Sequence, residues 1–502
     1  MQRRKFIKLS GLAAVPLVLE SCKSGYTGKP LDYEIQVESL HTIGHKLTSG
    51  FNFSRYPTEK LATDYLIVGG GIAGFSALTK LKGKDRLLVE AGSKPGGTSS
   101  YATYKEIIFS QGAHYDVEYP NFYGKEVLKH LEDLRIIQFD SILNKWEFVE
   151  KEYLIPQEKE SITYFENKIV EDPLNISEKE KEFSALMSRY YGKLPLPTRM
   201  IPEDLHGLNQ VNFKTFLEQK GLSDELLFQA LDYQFIDDYG EGMNGISALA
   251  GIHYFACRPY FNQNPMIFSP PEGNYYFVRK MLQHNHDQEI LLNSFVYRIL
   301  KTKEGFETSI WDEKENKIRI VRSKKVIYTG KKHALKFIYP ELSFEHPVEY
   351  APWMVINFIL PNFGLSLSKN IWQNDVVGER GFMGFVDSRA QFDVDAPYRS
   401  LTAYYCLKKE ERGQLLDIFK NPRAIVENTK KIIERYQGIQ MNQIYQVQLK
   451  LMGHAMPIPK PGYLLQDMND RSSDPDFIFS GVDNHRLPLL LDAMDSGLHF
   501  QE

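Results

Sequence analysis

The sequence predicts an α/β chain in two parts: a parallel-sheet unit assembled from separated segments, and an α+β unit inserted between them. Three observations predict it. A glycine-rich turn joins an apolar strand to a helix near residue 70, a strand ending in Gly-x-Asp enters a last helix near residue 480, and the intervening stretches switch from helical to strand-like patterning. At 502 residues the chain exceeds what one hydrophobic core usually organises, so two domains are the expectation. Aromatic residues reach 13%. A Tyr/Phe-rich core and an aromatic-lined cavity would both account for that, and composition does not separate them.

Taken in order, the chain begins with a basic region carrying Arg3-Arg4, followed by the apolar run Leu9 to Leu19. That run falls short of the ~20 residues a spanning helix needs, so residues 1–21 read as a signal peptide of the twin-arginine type. Leu19-Glu20-Ser21-Cys22 resembles a lipobox, in which Cys22 would be lipidated and tether the chain to a membrane. The expected location is the periplasm or cell envelope, as an anchored lipoprotein. Removing residues 1–21, with four basic side chains and one acid, takes the net charge from −4 to −7. That balance argues against nucleic acid as a partner. Residues 22–60 read as a tether and an N-terminal arm packing on the first domain. Cys257 and Cys406 read as ordinary buried thiols, with pairing in an oxidising compartment as the alternative, and no Cys/His spacing suggests a metal.

The run Tyr65 to Val68 predicts a buried parallel strand, and Gly69, Gly71 and Gly74 follow at G-x-G-x-x-G spacing before a helix. Gly69 permits the tight turn, Gly71 lets the backbone approach a pyrophosphate, and Gly74 lets helix pack on strand. Ile72 and Ala73 open the helix, whose N-terminal N–H groups attract phosphate. A second strand, Arg86 to Val89, ends in Glu90, where an acid takes ribose hydroxyls. Strand, glycines, helix, strand and acid in register predict a Rossmann-type dinucleotide site. Ala91, the loop through Gly96, Gly97, Thr98, Ser99 and Ser100, and the segment Gln111-Gly112-Ala113-His114-Tyr115 come next.

Residues 119 to 287 read as mostly helical. Ser177 to Glu180 gives a capping box, Phe213 to Lys220 a helix stopped by Gly221, and Ser223 a cap for a helix to Phe235. Asp237 to Glu241 is an acidic turn, either simply solvated or attractive to a cation. Glu289 to Leu300 and Lys325 to Thr329 read as strands, with a hairpin from Thr308–Trp311 and Ile318–Val321 between them. Four alternating runs, at 353–360, 382–386, 400–407 and 444–452, predict a second sheet with a helix at 423–436. Phe477 to Asp483 and the helix from Leu489 to Phe500 close the chain.

Together, Gly69–Gly74, Glu90–Gly97 and Gly112–Tyr115 resemble the flavin-containing amine oxidase superfamily, which includes monoamine and polyamine oxidases. The resemblance covers residues 62–502, with its strongest motifs at the two ends. It implies a Rossmann-type FAD-binding domain from 61–118, 288–340 and 455–502, and a substrate domain from 119–287 and 341–454. It implies that Glu90, Ala91 and Gly97 belong to a segment E-A-x-x-x-x-G-G-R, although Thr98 stands where that Arg, a cofactor contact, is usual. The work then shifts to Ser99, Ser100 or backbone groups. By resemblance, the backbone of Val296 meets the adenine, Thr329-Gly330 matches an A-T-G element, Asp483 faces the ribityl and pyrophosphate region, and the helix start at Leu490 reaches the flavin pyrimidine carbonyl.

The resemblance also bears on chemistry. A Lys usual near flavin N5 is replaced by Asn357, and Leu489 and Leu490 stand where an aromatic-cage residue is expected. His114 and Tyr115 are the remaining candidates beside the flavin, His114 either acting on the substrate or held structurally. No Cys lies near the C-terminus to carry the flavin, so FAD is expected to be non-covalent. The expected activity is oxidation of an amine, a polyamine among the options, by hydride transfer to FAD, with oxygen or a quinone as electron acceptor. A desaturase- or isomerase-like flavoprotein acting on an apolar substrate is the alternative, as is a flavin-binding protein without turnover in a membrane complex.

Overall fold

The computed structural model describes residues 33–113, 123–156, 159–166, 168–170, 173–257, 266–342, 348–362, 370–391, 396–467, 469 and 474–501. The signal peptide, Cys22, His114 and Tyr115 lie outside the described residues.

Two sheets organise the chain. In the first, Ile290–Leu291, Arg86–Val89, Thr58–Val68, Lys317–Tyr328 and Phe477–Phe479 run parallel to one another. Side chains alternate across this sheet, as strand geometry requires. Ile67, Leu88, Ile327 and Ile478 face one layer, with Phe75, Leu78 and Met494 from the helices Ile72–Lys80 and Leu490–Leu498. Leu66, Val68, Val89, Val326 and Phe479 face the other, where they meet Ile299, Phe306 and Ile310 of the strands Ser294–Thr302 and Gly305–Asp312. Both faces are covered, which explains the unbroken apolar run at 65–68. The hairpin expected at 308–321 is longer than its apolar core suggested. Its second strand, Lys317–Tyr328, runs on without a break into the parallel sheet.

The second sheet has the order Glu34–Ser39, Gln446–Pro457, Tyr350–Pro361, Tyr398–Cys406, Phe382–Asp387, Gln373–Val377, Ser161–Phe165, Lys168–Val170. One face carries Ile356, Phe358, Leu401, Ala403 and Leu449 under the helix Arg423–Gln437, through Val426 and Ile433. The opposite face carries Val355, Tyr404 and Cys406 together with Ala230 and Tyr233 of the helix Glu225–Tyr239.

Three expectations need correction. The N-terminal arm does not pack only on the first unit: Glu34–Ser39 joins the second sheet, parallel to Gln446–Pro457, while Phe51 and Tyr56 pack on Trp311 of the first. Residues 119–287 are not simply helical, because Ser161–Phe165 and Lys168–Val170 extend the second sheet. The runs are too short for periodicity to reveal them. Helix starts also differ. Asp224, not Ser223, caps Glu225–Tyr239 through the Leu227 N–H at 2.8 Å, and Ser177 donates to Asp224 at 2.6 Å instead of closing a capping box. The acidic stretch at 237–239 is the last turn of that helix, ended by Gly240 at φ +74°.

The closing helix lies against the helix Ile72–Lys80 at a close backbone approach. A Cβ on Gly497 would sit 2.2 Å from the Ala73 carbonyl oxygen and 2.7 Å from the Ser76 side chain. Gly497→Ala is therefore expected to destabilise the fold by about 2 kcal/mol through overpacking, read as a lower denaturation midpoint at unchanged m-value.

Candidate functional site

The turn after Thr58–Val68 is built as the glycine spacing predicts. Gly69 has φ +111°, and a Cβ on Gly74 would lie 1.9 Å from the Gly69 carbonyl oxygen. Thr329 closes the same turn from the neighbouring strand, its hydroxyl donating at 3.0 Å to the carbonyls of Val68 and Gly69. Gly71 is open by contrast: an added Cβ would meet nothing nearer than the Gly96 carbonyl at 3.9 Å. The helix that starts at Ile72 and Ala73 has no side-chain cap and no acid in its first turn. Its leading N–H groups therefore present a positive end to an anion.

The second loop folds onto the first. Gly96 N–H donates to the Gly70 carbonyl at 2.7 Å, and Gly97 lies over Gly71. Glu90 is buried, and both carboxylate oxygens accept backbone N–H groups, from Gly70 at 2.7 Å and Gly92 at 2.6 Å. Burial pushes its carboxyl above the usual range, and those two N–H bonds oppose the rise. Each oxygen keeps a lone pair for a hydroxyl donor. Ala91 follows within this turn, and Asn293 and Ser294 donate to the carbonyls of Gly92 and Glu90, which brings the strand of Val296 alongside. Val296 is buried, at a β-bulge in its pairing with Gly305–Asp312.

The third segment, Ser110 to Ala113, is zipped to the same loop. Ala113 N–H donates to the Thr98 carbonyl at 2.8 Å, and Ser100 Oγ donates to the Gln111 carbonyl at 3.1 Å. A Cβ on Gly112 would meet the Thr98 carbonyl at 2.1 Å. Ser99 is buried and the Thr98 side chain exposed. The second sheet grips this segment from its polar face. Asn357 Nδ2 donates to the Ser110 carbonyl at 2.7 Å and lies 3.0 Å from both Ser400 Oγ and Thr402 Oγ1. Tyr404 donates to the Gly112 carbonyl at 3.1 Å. Four amide oxygens at or next to the segment, those of Gln111, Asn274, Asn357 and Gln448, are buried without a hydrogen-bond partner. Orphaned acceptors of this kind are uncommon and fit a ligand that brings donors.

The Asp483 carboxylate accepts the Lys332 N–H at 2.9 Å and the Tyr350 hydroxyl at 2.5 Å, with Lys331 at 3.4 Å, just beyond the Thr329-Gly330 pair. The closing helix starts at Leu490 without a side-chain cap, and its last turns are tied to the preceding loop by the bonds of Ser480 and Gly481 to Ser496. Tyr404, Gln448 and Asn274 were missed in the sequence: Tyr404 and Asn274 meet the Gly112 and Ala113 carbonyls, and Gln448 the Thr103 carbonyl, only through long-range sheet or turn pairing.

Near Asp483, His333 and His454 stack with ring centroids 3.8 Å apart. Burial pushes them down to about 4 and about 3 respectively, and for His454 the neighbouring His333 adds to the fall. Cys257 and Cys406 are both buried, and neither is in a disulfide.

Comparison with known proteins is consistent with this geometry. Residues 67–131 match the NAD(P)-binding Rossmann-like domain family. No curated protein matches the sequence. Among solved structures, the chain is similar to a wild-type putrescine oxidase bound to putrescine, at 14% identity and a TM-score of 0.56, covering 88% of this chain and 98% of that one. It is also similar to a putative protoporphyrinogen oxidase from Exiguobacterium sp. 255-15, at 15% identity, a TM-score of 0.59 and coverage of 87% and 97%. Cyclohexylamine oxidase from Brevibacterium oxydans IH-35A gives 12% identity, a TM-score of 0.59 and the same coverage. These likenesses establish the fold: a Rossmann-like, mixed α/β architecture shared with amine oxidases and protoporphyrinogen oxidases.

The stacked histidines predict an acid-sensitive fold. Their folded pKa values lie below the ordinary 6.5, so their contribution is fully present above pH 6.5 and falls as the unfolded chain takes up protons below it. Denaturation midpoints are expected to drop between pH 6.5 and 4, and less steeply in His454→Gln than in the unmodified protein.

Proposed function

We propose that the protein is an FAD-dependent oxidoreductase that oxidises an amine by hydride transfer to the flavin. The observation that carries the proposal is the junction at Ser110–Ala113, where the nucleotide-binding loops and the polar face of the second sheet meet through Asn357 and Tyr404. The residues present fit the cofactor. Gly71 leaves room for a phosphate at an uncapped helix start, Glu90 offers acceptors to ribose hydroxyls, and the orphaned amide oxygens offer acceptors to flavin or substrate donors. When bound, FAD supplies the hydride acceptor, with oxygen or a quinone taking the electrons afterwards.

The chain's own residues bind and orient. Asn357 is fully buried and uncharged; its amide nitrogen fixes the Ser110 backbone. Tyr404 fixes Gly112, and its buried hydroxyl stays protonated, so it acts as a donor and not as a base. Asp237 acts on Tyr404 and on Cys406, pushing both upward in addition to the effect of burial. A carboxylate beside this face favours a cationic ligand, as an amine is at neutral pH. A second reading, dehydrogenation of an apolar substrate, is favoured by the neutral Asn357 where a lysine is usual in the family resembled.

Three experiments test the proposal. Anaerobic mixing with mono- and polyamines is expected to bleach the flavin absorbance; if dithionite bleaches it and no amine does, the amine reading fails. Asp237→Asn is expected to raise KM for the reactive amine about tenfold with flavin content unchanged, since an exposed-to-buried charge pair contributes about 1–2 kcal/mol. Equal KM values would remove Asp237 from substrate attraction. For the cofactor register, Glu90→Ala is expected to lower the flavin-to-protein ratio of the purified protein at least several-fold, and full occupancy in that variant would refute it.

A further inference from the structure

The second sheet also sends a charge to the nucleotide loops. Lys450, on Gln446–Pro457, places its ammonium 3.2 Å from the Gly97 carbonyl oxygen and 3.2 Å from a Glu38 carboxylate oxygen. Glu38 stands directly opposite Lys450 on the N-terminal strand Glu34–Ser39. Its other oxygen takes Lys94 at 3.0 Å, and Lys94 lies in the loop between Glu90 and the Gly96-Gly97 pair. The Lys450 side chain is only 13% exposed. A charge held this far from water is costly unless it is paired, and one carboxylate shared between two ammonium groups leaves a net positive charge. Two of the three ammonium donors are directed by Glu38 and Gly97, and the third meets no partner among the described residues.

The position matters because of what Gly97 covers. Gly97 has φ +61°, and a Cβ there would touch the Gly71 Cα at 3.5 Å, the glycine at which a phosphate reaches the uncapped helix. Thr98, which follows Gly97 where the family resembled carries an arginine, is uncharged and exposed. Position 98 therefore brings no cation to Gly97; the loop's own Lys94 is held on Glu38, and the second sheet brings Lys450 to the Gly97 carbonyl. An ammonium suits a phosphate as a compact point charge.

We propose that Lys450 is the cationic contact of the cofactor's pyrophosphate, with Glu38 as its positioning residue. The proposal rests on the FAD reading above and adds to it a role for the N-terminal strand: residues 34–39 complete the cofactor site from the far end of the chain. Burial lowers the Lys450 ammonium from its ordinary range and Glu38 opposes that fall, so removing Glu38 weakens the charge as well as its aim.

The test separates the pyrophosphate from the ring system. Full-length protein is stripped of flavin and titrated separately with FAD and with riboflavin, which lacks the phosphates, following quenching of flavin fluorescence. Lys450→Met is expected to weaken FAD at least tenfold with riboflavin unchanged, and Lys450→Arg to stay within about threefold of the unmodified protein. Glu38→Gln, which keeps the lysine, is the second variant and is expected to weaken FAD several-fold with riboflavin again unchanged. Unchanged FAD affinity in Lys450→Met, or parallel loss of FAD and riboflavin in both variants, overturns the proposal. If the unmodified protein binds neither flavin, the FAD reading itself fails.

Discussion

The contact on which the rest of this structure depends is the one between the Gly69 carbonyl and the helix that starts at Ile72. Any side chain at residue 74 would place its Cβ 1.9 Å from that oxygen, so glycine alone lets the helix lie down on the sheet here. Once it does, the helix start points at the end of the central strand, and three distant segments converge on it. Thr329 closes the turn from the adjacent strand, the pair Gly96-Gly97 folds over Gly71, and Gly497 brings the closing helix against Ala73. At Gly74, Gly96 and Gly497 an added Cβ would meet a backbone oxygen within 2.5 Å, so those approaches leave no tolerance for added volume. A parallel sheet whose strands come from residues 58–89, 290–328 and 477–479 has few local contacts, and these glycine contacts tie its pieces together.

The second sheet is committed to the first by its polar face. Across the strands, Gln448, Asn357 and Thr402 stand side by side, with Lys450 and Tyr404 in the adjoining row. Five polar side chains in the middle of a sheet are expensive, and two of their atoms, Asn357 Oδ1 and Gln448 Oε1, stay without a partner: an orphaned buried acceptor costs about 1–3 kcal/mol. The opposite face of the same strands is entirely apolar around Ile356, Phe358 and Leu449. Stability alone would favour apolar residues on both faces. The asymmetry places the polar cost where the Ser110–Ala113 segment and the nucleotide loops lie, as a ligand site would.

Legibility in the sequence followed the range of the interaction. The strand at 65–68, the glycine spacing, Glu90 and the closing helix are set by residues within about thirty positions of one another, and the structure places them together. The cap at Asp224 was missed by one residue because serine and aspartate compete for the same role in adjacent positions. The partners of Asp483, Lys332 and Tyr350, were likewise not legible, because they come from strands and turns more than a hundred residues away. Lys450 and Tyr404 could not be read at all. Their importance comes from register across strands separated by hundreds of residues, most plainly in Glu38 opposite Lys450, and no local pattern encodes that pairing.

Asn357 shows how these levels combine. Its amide nitrogen faces three oxygens, of Ser110, Ser400 and Thr402, an arrangement that an ammonium group would also satisfy. The fold therefore keeps a donor at this position while removing its charge. That change alters the field over the whole face. A lysine here would oppose Asp237, whereas an amide leaves the Asp237 carboxylate to act on Tyr404 and Cys406. A neutral donor at 357 repels a cation less than an ammonium would, and it leaves Asp237, in the last turn of the helix Glu225–Tyr239, as the carboxylate acting on this face.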